Sequence, residues 1–162
     1  MILAIDPGAS AGFAVLDGRR VVWCAQSKPP EERRLVTWAD LIARAKALGA
    51  TRAVIEGPCY QANAGRSLRV TSELGERVGD LRGLAWSILG DVSSIRWDVW
   101  QRLDGWDEPL VSGPMLSERR SLRYAVDVLG VPRAWLVGKL GGVLWDVATA
   151  CCIGAAAQED RG

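Results

Sequence analysis

Three carboxylates stand where their surroundings are otherwise apolar. Asp6 closes the run Ile2-Leu3-Ala4-Ile5, Glu56 closes Ala53-Val54-Ile55, and Asp146 sits among Val143, Leu144, Val147 and Ala148. Like charges held close repel one another unless a cation neutralises them. The sequence contains no histidine, which excludes Ser-His-Asp and Cys-His catalysis, His-bearing zinc sites and a histidine general base. The cysteines, Cys24, Cys59, Cys151 and Cys152, form no Cys-x-x-Cys pair and read as buried free thiols. A cluster of Asp6, Glu56 and Asp146 is then an all-oxygen donor set, which selects Mg²⁺, with Mn²⁺ as a substitute. Ions so held activate water and stabilise the leaving oxygen in phosphodiester hydrolysis. Singly, each acid also has a bland reading: Asp6 before Pro7-Gly8 caps a turn, Glu56 is a solvated strand end, and Asp146 pairs with an arginine.

For the three acids to meet, the chain must bring two strand ends and one helix together. Ile2–Asp6, Ala11–Leu16 and Arg20–Gln26 read as strands, with Asp17-Gly18 as a hairpin signal between the second and third. After Pro29-Pro30, residues Glu31–Leu48 have helical periodicity, with Leu35, Trp38, Leu41, Ile42 and Ala45 on one face. Arg52–Glu56 is a short apolar strand whose position after a helix makes it a parallel partner for the first. A long helix over about Gly65–Leu89 and a strand over Val92–Trp97 follow, then a short helix capped by Asp98 and running through Leu103. Gly105–Met115 reads as a loop, Ser117 caps a helix ending near Leu129, and a last helix covers about Gly142–Ala157. The expected fold class is α/β, a mixed five-stranded sheet with helices on both faces. Residues 1–157 form one domain in this reading, and 158–162 a polar tail.

Composition bounds the rest. The chain has 162 residues, 49% of them hydrophobic and 24% charged, as in an ordinary soluble globule. No apolar run approaches the roughly 20 residues needed to span a bilayer, and Asp6 arrives too early for a signal peptide. A cytoplasmic location with no membrane partner is expected. The net charge is only +1, and Lys28, Lys46 and Lys139 are the only lysines, so the basic side is mostly arginine. Arginine forks suit phosphate oxygens. Arg66 and Arg69 lie at the start of the long helix, where backbone amides also favour phosphate. Arg119, Arg120 and Arg123 form a second cluster on about one helical turn, with a solvated helix face as the bland alternative. The eight tryptophans divide between core positions and exposed ones open to base stacking.

The opening Ile2-Leu3-Ala4-Ile5-Asp6-Pro7-Gly8, followed by Gly12-Phe13-Ala14-Val15, resembles that of the RuvC-like Holliday junction resolvases. The resemblance continues at Ala53-Val54-Ile55-Glu56 with Asn63, at Leu74-Gly75 and Arg82-Gly83-Leu84-Ala85, and at Ser117-Glu118-Arg119. It closes at Asp146-Val147-Ala148-Thr149-Ala150 and so covers nearly the whole chain. It implies an RNase H-like fold and a homodimeric endonuclease that makes paired nicks in four-way DNA with Mg²⁺. Asp6, Glu56 and Asp146 would be the catalytic metal ligands, and Arg119 a basic residue near the scissile phosphate. Three departures accompany it. The family has two acids three residues apart at the close, whereas Asp146 has Val143 before it and Thr149 after it. Either a second metal is held more weakly, or Glu73, Glu76 or Asp80 from the long helix substitutes for the missing ligand. The family's aromatic after the glutamate is Cys59 here, leaving Tyr60 to replace it. A second basic position is Trp100, leaving Arg102 or Lys139 as stand-ins.

Two alternatives share much of this reading: a YqgF-like ribonuclease of the same fold, and a non-catalytic junction-binding protein lacking one acid. A sugar-kinase or actin-like nucleotide binder would need a second phosphate hairpin, which is absent from the sequence. Gly138-Lys139 is followed by Leu140 rather than by Ser or Thr, so there is no phosphate-cradling P-loop either.

Overall fold

The first strand, β1 (Ile2–Asp6), is buried along its whole length and lies at the centre of the sheet. The computed structural model describes residues 1–8, 10–28, 30–57, 68–101 and 114–159, with 68–71, 97 and 114–118 described as backbone only. β2 (Ala11–Asp17) pairs antiparallel with β1, and β3 (Arg20–Ser27) pairs antiparallel with β2. Asp17 and Arg20 face each other across the turn, where Gly18 takes a left-handed φ of 54° that an L side chain resists. β4 (Arg52–Glu56) runs parallel to β1, and β5 (Val92–Ile95) parallel to β4. The resulting order is β3-β2-β1-β4-β5, the mixed five-stranded sheet expected from the sequence.

Side chains alternate along a strand, and here the alternation separates two cores. Leu3, Ile5, Phe13, Val15, Ala53 and Ile55 pack beneath α1 (Arg34–Ala47) and α2 (Leu68–Leu89). Ile2, Ala4, Ala14, Leu16, Val54 and Ile95 face the opposite way, under α4 (Pro114–Asp127) and α5 (Trp145–Glu159). Every residue of α5 from Val147 to Ala157 is buried, as expected of a helix apolar all round. Its small side chains let it lie close to the sheet. A Cβ on Gly12 of β2 would collide with the Asp146 carbonyl and come within 2.7 Å of the Val147 nitrogen. Near the far end of α5, a Cβ on Gly154 would run into the Leu16 side chain.

Several boundaries differ from the sequence expectation. The helix expected from Glu31 opens as a 3-10 turn (Glu31–Arg33), and its buried face is Trp38, Ile42 and Ala45, with Leu35 48% exposed. α3 (Trp97–Trp100) begins one residue before Asp98, so Asp98 is not its cap. Arg96 grips that carboxylate with both arms of its guanidinium, at 2.9 and 2.7 Å. α4 starts at Pro114 rather than after Ser117; proline is well suited to a first helical position because its missing N–H has no partner there anyway. α5 starts at Trp145 rather than Gly142, because Val137 and Val143 pair as a bridge around a turn where Gly141 has a φ of 79°. The expected helix start at Gly65 and most of the expected loop at 105–115 fall outside the described residues.

Trp38 and Trp100 are core residues, while Trp86 and Trp135 are exposed. Cys151 and Cys152 are buried free thiols, but Cys24 is only half-buried, a correction to the expectation, because β3 is an edge strand. No helix among the described residues is long and apolar enough to cross a membrane.

The two close approaches of α5 differ in what an added methyl would meet. Gly12→Ala pushes on backbone and is expected to destabilise the protein by about 1–3 kcal/mol, a usual cost of overpacking. Gly154→Ala pushes on the end of a leucine side chain and is expected to cost less. Urea unfolding of both variants measures the difference; equal midpoints would contradict the backbone-contact argument.

Candidate active site

Because β1 and β4 are parallel and paired Ile5 to Ile55, their next residues, Asp6 and Glu56, leave the same edge of the sheet on neighbouring strands. Neighbouring strands are about 4.8 Å apart. Alternation places both acids on the α5 side, in line with Ile2, Ala4 and Val54. Across the sheet, Asp6 stands opposite Gly12, Gly12 opposite Gln26, and Glu56 opposite Ile95. The row thus runs Gln26, Gly12, Asp6, Glu56, Ile95. Gly12 is its gap, and the first turn of α5 settles into it. That contact delivers Asp146 to the acids.

Asp6 and Asp146 converge over Gly8. A Cβ there would lie 2.5 Å from Asp146 Oδ1 and 3.5 Å from Asp6 Oδ1. A side chain at position 8 would therefore fill the space between the two carboxylates. The Gly8 amide donates to Asp6 Oδ1 at 3.1 Å, and the buried Thr149 hydroxyl also donates to Asp6. Gln26 Nε2 donates to Asp146 Oδ2 at 3.3 Å. The indole of buried Trp100 donates to Glu56 Oε1 at 3.1 Å.

Burial, then the charges of Glu56 and Asp146, hold the Asp6 carboxyl well above the usual aspartate range; the Gly8 amide and Thr149 hydroxyl offset only part of this. The protein thus keeps an acid in a place that disfavours its ionisation, a common mark of functional sites. Among the described residues, no three His, Cys, Asp or Glu side chains are gathered closely enough to enclose an ion. Mg²⁺ does not require such a cage: it is usually held by one or two carboxylates together with water and substrate phosphate. The space over Gly8, flanked by two carboxylate oxygens, suits that mode, with Glu56 adjoining.

Other residues singled out in the sequence divide. Arg119 and Arg123 are exposed on α4, and Arg123 lies 3.7 Å from Asp127. Arg120 is buried at 7% exposure, so the three arginines do not share one solvent face; the 3.6-residue turn carries position 120 inward. Lys139 is exposed in the turn between Val137 and Val143. Tyr60, Arg66, Cys59, Asn63 and Arg102 lie outside the described residues, and Arg69 is described only as a backbone position in the first turn of α2. Of the substitute acids, Asp80 is bound to Arg34 of α1 at 2.7 Å, on the other face of the sheet from Asp6. Glu76 is exposed, and Glu73 is half-buried with a partner of its own. Thr149, not a carboxylate, occupies the place beside Asp6. Sequence reasoning noticed Thr149 and Trp100 only as departures from a pattern, and missed Gln26.

No protein-family model and no curated protein sequence matches the chain. Solved structures do. The Thermus thermophilus RuvC structure superposes with a TM-score of 0.65 at 16% identity, covering 99% of this chain and 95% of that one. T. thermophilus RuvC in complex with a Holliday junction substrate gives 0.62 at 15% identity, covering 99% and 94%. The chain has the RuvC fold. The likeness extends over nearly the full length of both chains.

The raised pKa of Asp6 has a consequence for the metal-free protein. Between about pH 4 and its raised value, folded Asp6 holds a proton that the unfolded chain has released. Stability then falls as pH rises through that window. Asp6→Asn removes the charge, so the metal-free variant is expected to melt higher than wild type at pH 8, with the gap shrinking toward pH 4. Thermal unfolding in EDTA across pH 4–8 checks this; a lower melting point for Asp6→Asn at pH 8 would contradict it.

Proposed function

We propose that the chain is a divalent-metal-dependent endonuclease that resolves four-way DNA junctions by paired, symmetric nicks, working as a homodimer with Mg²⁺, or Mn²⁺ in its place. The observation that carries this reading is the convergence of Asp6 and Asp146 over Gly8, beside Glu56, at the end of the central parallel strands of a RuvC fold. An all-oxygen set of this kind, in a chain without histidine, suits a hard cation and phosphodiester chemistry. The Thermus protein of the same fold is solved with a Holliday junction substrate, which supports a branched-DNA substrate here.

In this reading Asp6, Glu56 and Asp146 hold the metal. When bound, it supplies activation of water and stabilisation of charge on the phosphodiester oxygens. A bound cation would offset the burial and the neighbouring charges that raise Asp6, and so would favour its ionised form. Gly8 keeps the space between the carboxylates open and fixes Asp6 through its amide. Arg119 and Arg123 on α4, Lys139 in the turn before α5, Arg69 in the first turn of α2, and Tyr60 and Arg66 are the proposed DNA contacts. Arg120, being buried, supports α4 rather than meeting phosphate.

The test mixes purified protein with a labelled four-way junction, linear duplex and structured RNA, with EDTA, Mg²⁺ or Mn²⁺. Paired nicks in the junction alone are expected. Asp6→Asn should lower cleavage at least 100-fold while junction binding in EDTA persists, since phosphate contacts position the DNA independently of the metal ligands. Cleavage confined to RNA would overturn the reading in favour of a ribonuclease. Junction binding without cleavage in either metal would overturn the catalytic part.

A further inference from the structure

The carboxylates have neutral neighbours whose placement is informative. Gln26 and Trp100 come from β3 and α3, on opposite flanks of β1. Each donates one N–H to one oxygen of a carboxylate: Gln26 Nε2 to Asp146 Oδ2 at 3.3 Å, and Trp100 Nε1 to Glu56 Oε1 at 3.1 Å. The other Asp146 oxygen, Oδ1, points to the space over Gly8, where it lies 2.5 Å from the place a Cβ would take. Gln26 thus fixes the rotation of the Asp146 carboxylate about its last bond, with Oδ2 turned to β3 and Oδ1 toward Asp6.

Trp100 does the equivalent for Glu56. A glutamate side chain has rotatable bonds that must be frozen before it can act as a fixed ligand. The indole is rigid, 4% exposed, and carries a single donor. A buried donor left without a partner is costly, so this contact holds both partners. Both donors are also uncharged. An arginine or lysine at either place would neutralise the acid it held. Glutamine and tryptophan orient the acid without themselves neutralising it.

We propose that Gln26 and Trp100 are positioning residues that set the divalent-cation affinity of the Asp6–Glu56–Asp146 cluster. The inference rests on the metal-dependent reading above and adds two residues, in roles which that reading does not require. Partners of this kind behind metal ligands typically change metal affinity about 10- to 100-fold when removed.

The test measures Mn²⁺ binding to the full chain, without DNA, by calorimetry and by loss of the free-ion electron paramagnetic resonance signal. Trp100→Phe removes the N–H and keeps most of the ring; Gln26→Met removes the N–H and keeps the length. Each is expected to weaken Mn²⁺ binding about 10-fold, while far-UV circular dichroism in EDTA stays that of wild type. Gln26→Glu has the opposite sign: it adds a carboxylate beside Asp146 and should tighten Mn²⁺ binding while lowering the metal-free melting temperature. A purely structural role for Gln26 predicts no tightening. Mn²⁺ affinity within twofold of wild type in Trp100→Phe or Gln26→Met overturns the role of that residue. Wild-type protein that takes up no Mn²⁺ overturns both the inference and the metal-dependent reading, whereas wild-type uptake with unchanged variants overturns the inference alone.

Discussion

The geometry of the carboxylate cluster depends on a backbone contact between β2 and α5. Two of the acids are brought together by strand pairing alone, since β1 and β4 end side by side. The third arrives on a helix, and a helix normally stands off a sheet by the length of the side chains between them. Gly12 removes that separation at one point, and the Asp146 carbonyl occupies the place its side chain would take. Gly12 is also the residue paired with Asp6. The helix therefore comes closest at the strand position next to the acid it must meet. The alanines, cysteines and glycine of α5 continue the close fit toward Leu16.

Closeness has an electrostatic consequence. Asp6 is buried, and the charges of Glu56 and Asp146 act on it, so the metal-free site disfavours its ionisation. The hydrogen bonds around it hold the acids without cancelling them: the Gly8 amide and Thr149 hydroxyl on Asp6, Gln26 on Asp146, and Trp100 on Glu56. Such a site gains most from an external cation, which links fold stability to metal binding. The effect is local. Beneath it the sheet is covered by α1 and α2 on one face and by α4 and α5 on the other, and both cores are apolar.

Much of this was legible in the sequence. Period-two and period-3.6 patterns gave the order of strands and helices, and the apolar runs ending in Asp6 and Glu56 gave the parallel pair. The position of Asp146 among Val143, Leu144, Val147 and Ala148 gave the third acid. What was not legible has particular causes. Gln26 faces Gly12 only because the β2–β3 ladder slips between Val15 and Leu16. Counting back from the Asp17–Arg20 turn without that slip pairs Gly12 with Ala25, and a one-residue slip turns a side chain to the other face. Trp100 reaches Glu56 from 44 residues away, through the placement of a four-residue helix that no local pattern fixes. Thr149 could be seen as a missing acid but not as a hydroxyl donor to Asp6. Arg120 read as part of a basic face because three arginines within five positions look alike until the helix phase is known.

The central claim is that the carboxylates of Asp6, Glu56 and Asp146 would hold a divalent cation. Anomalous diffraction from crystals grown with Mn²⁺, recorded at the manganese edge, tests it most directly. The account predicts a peak beside the carboxylates of Asp6, Glu56 and Asp146. Full Mn²⁺ saturation with no anomalous peak at that place, or with peaks only on surface acids such as Glu76, would contradict it.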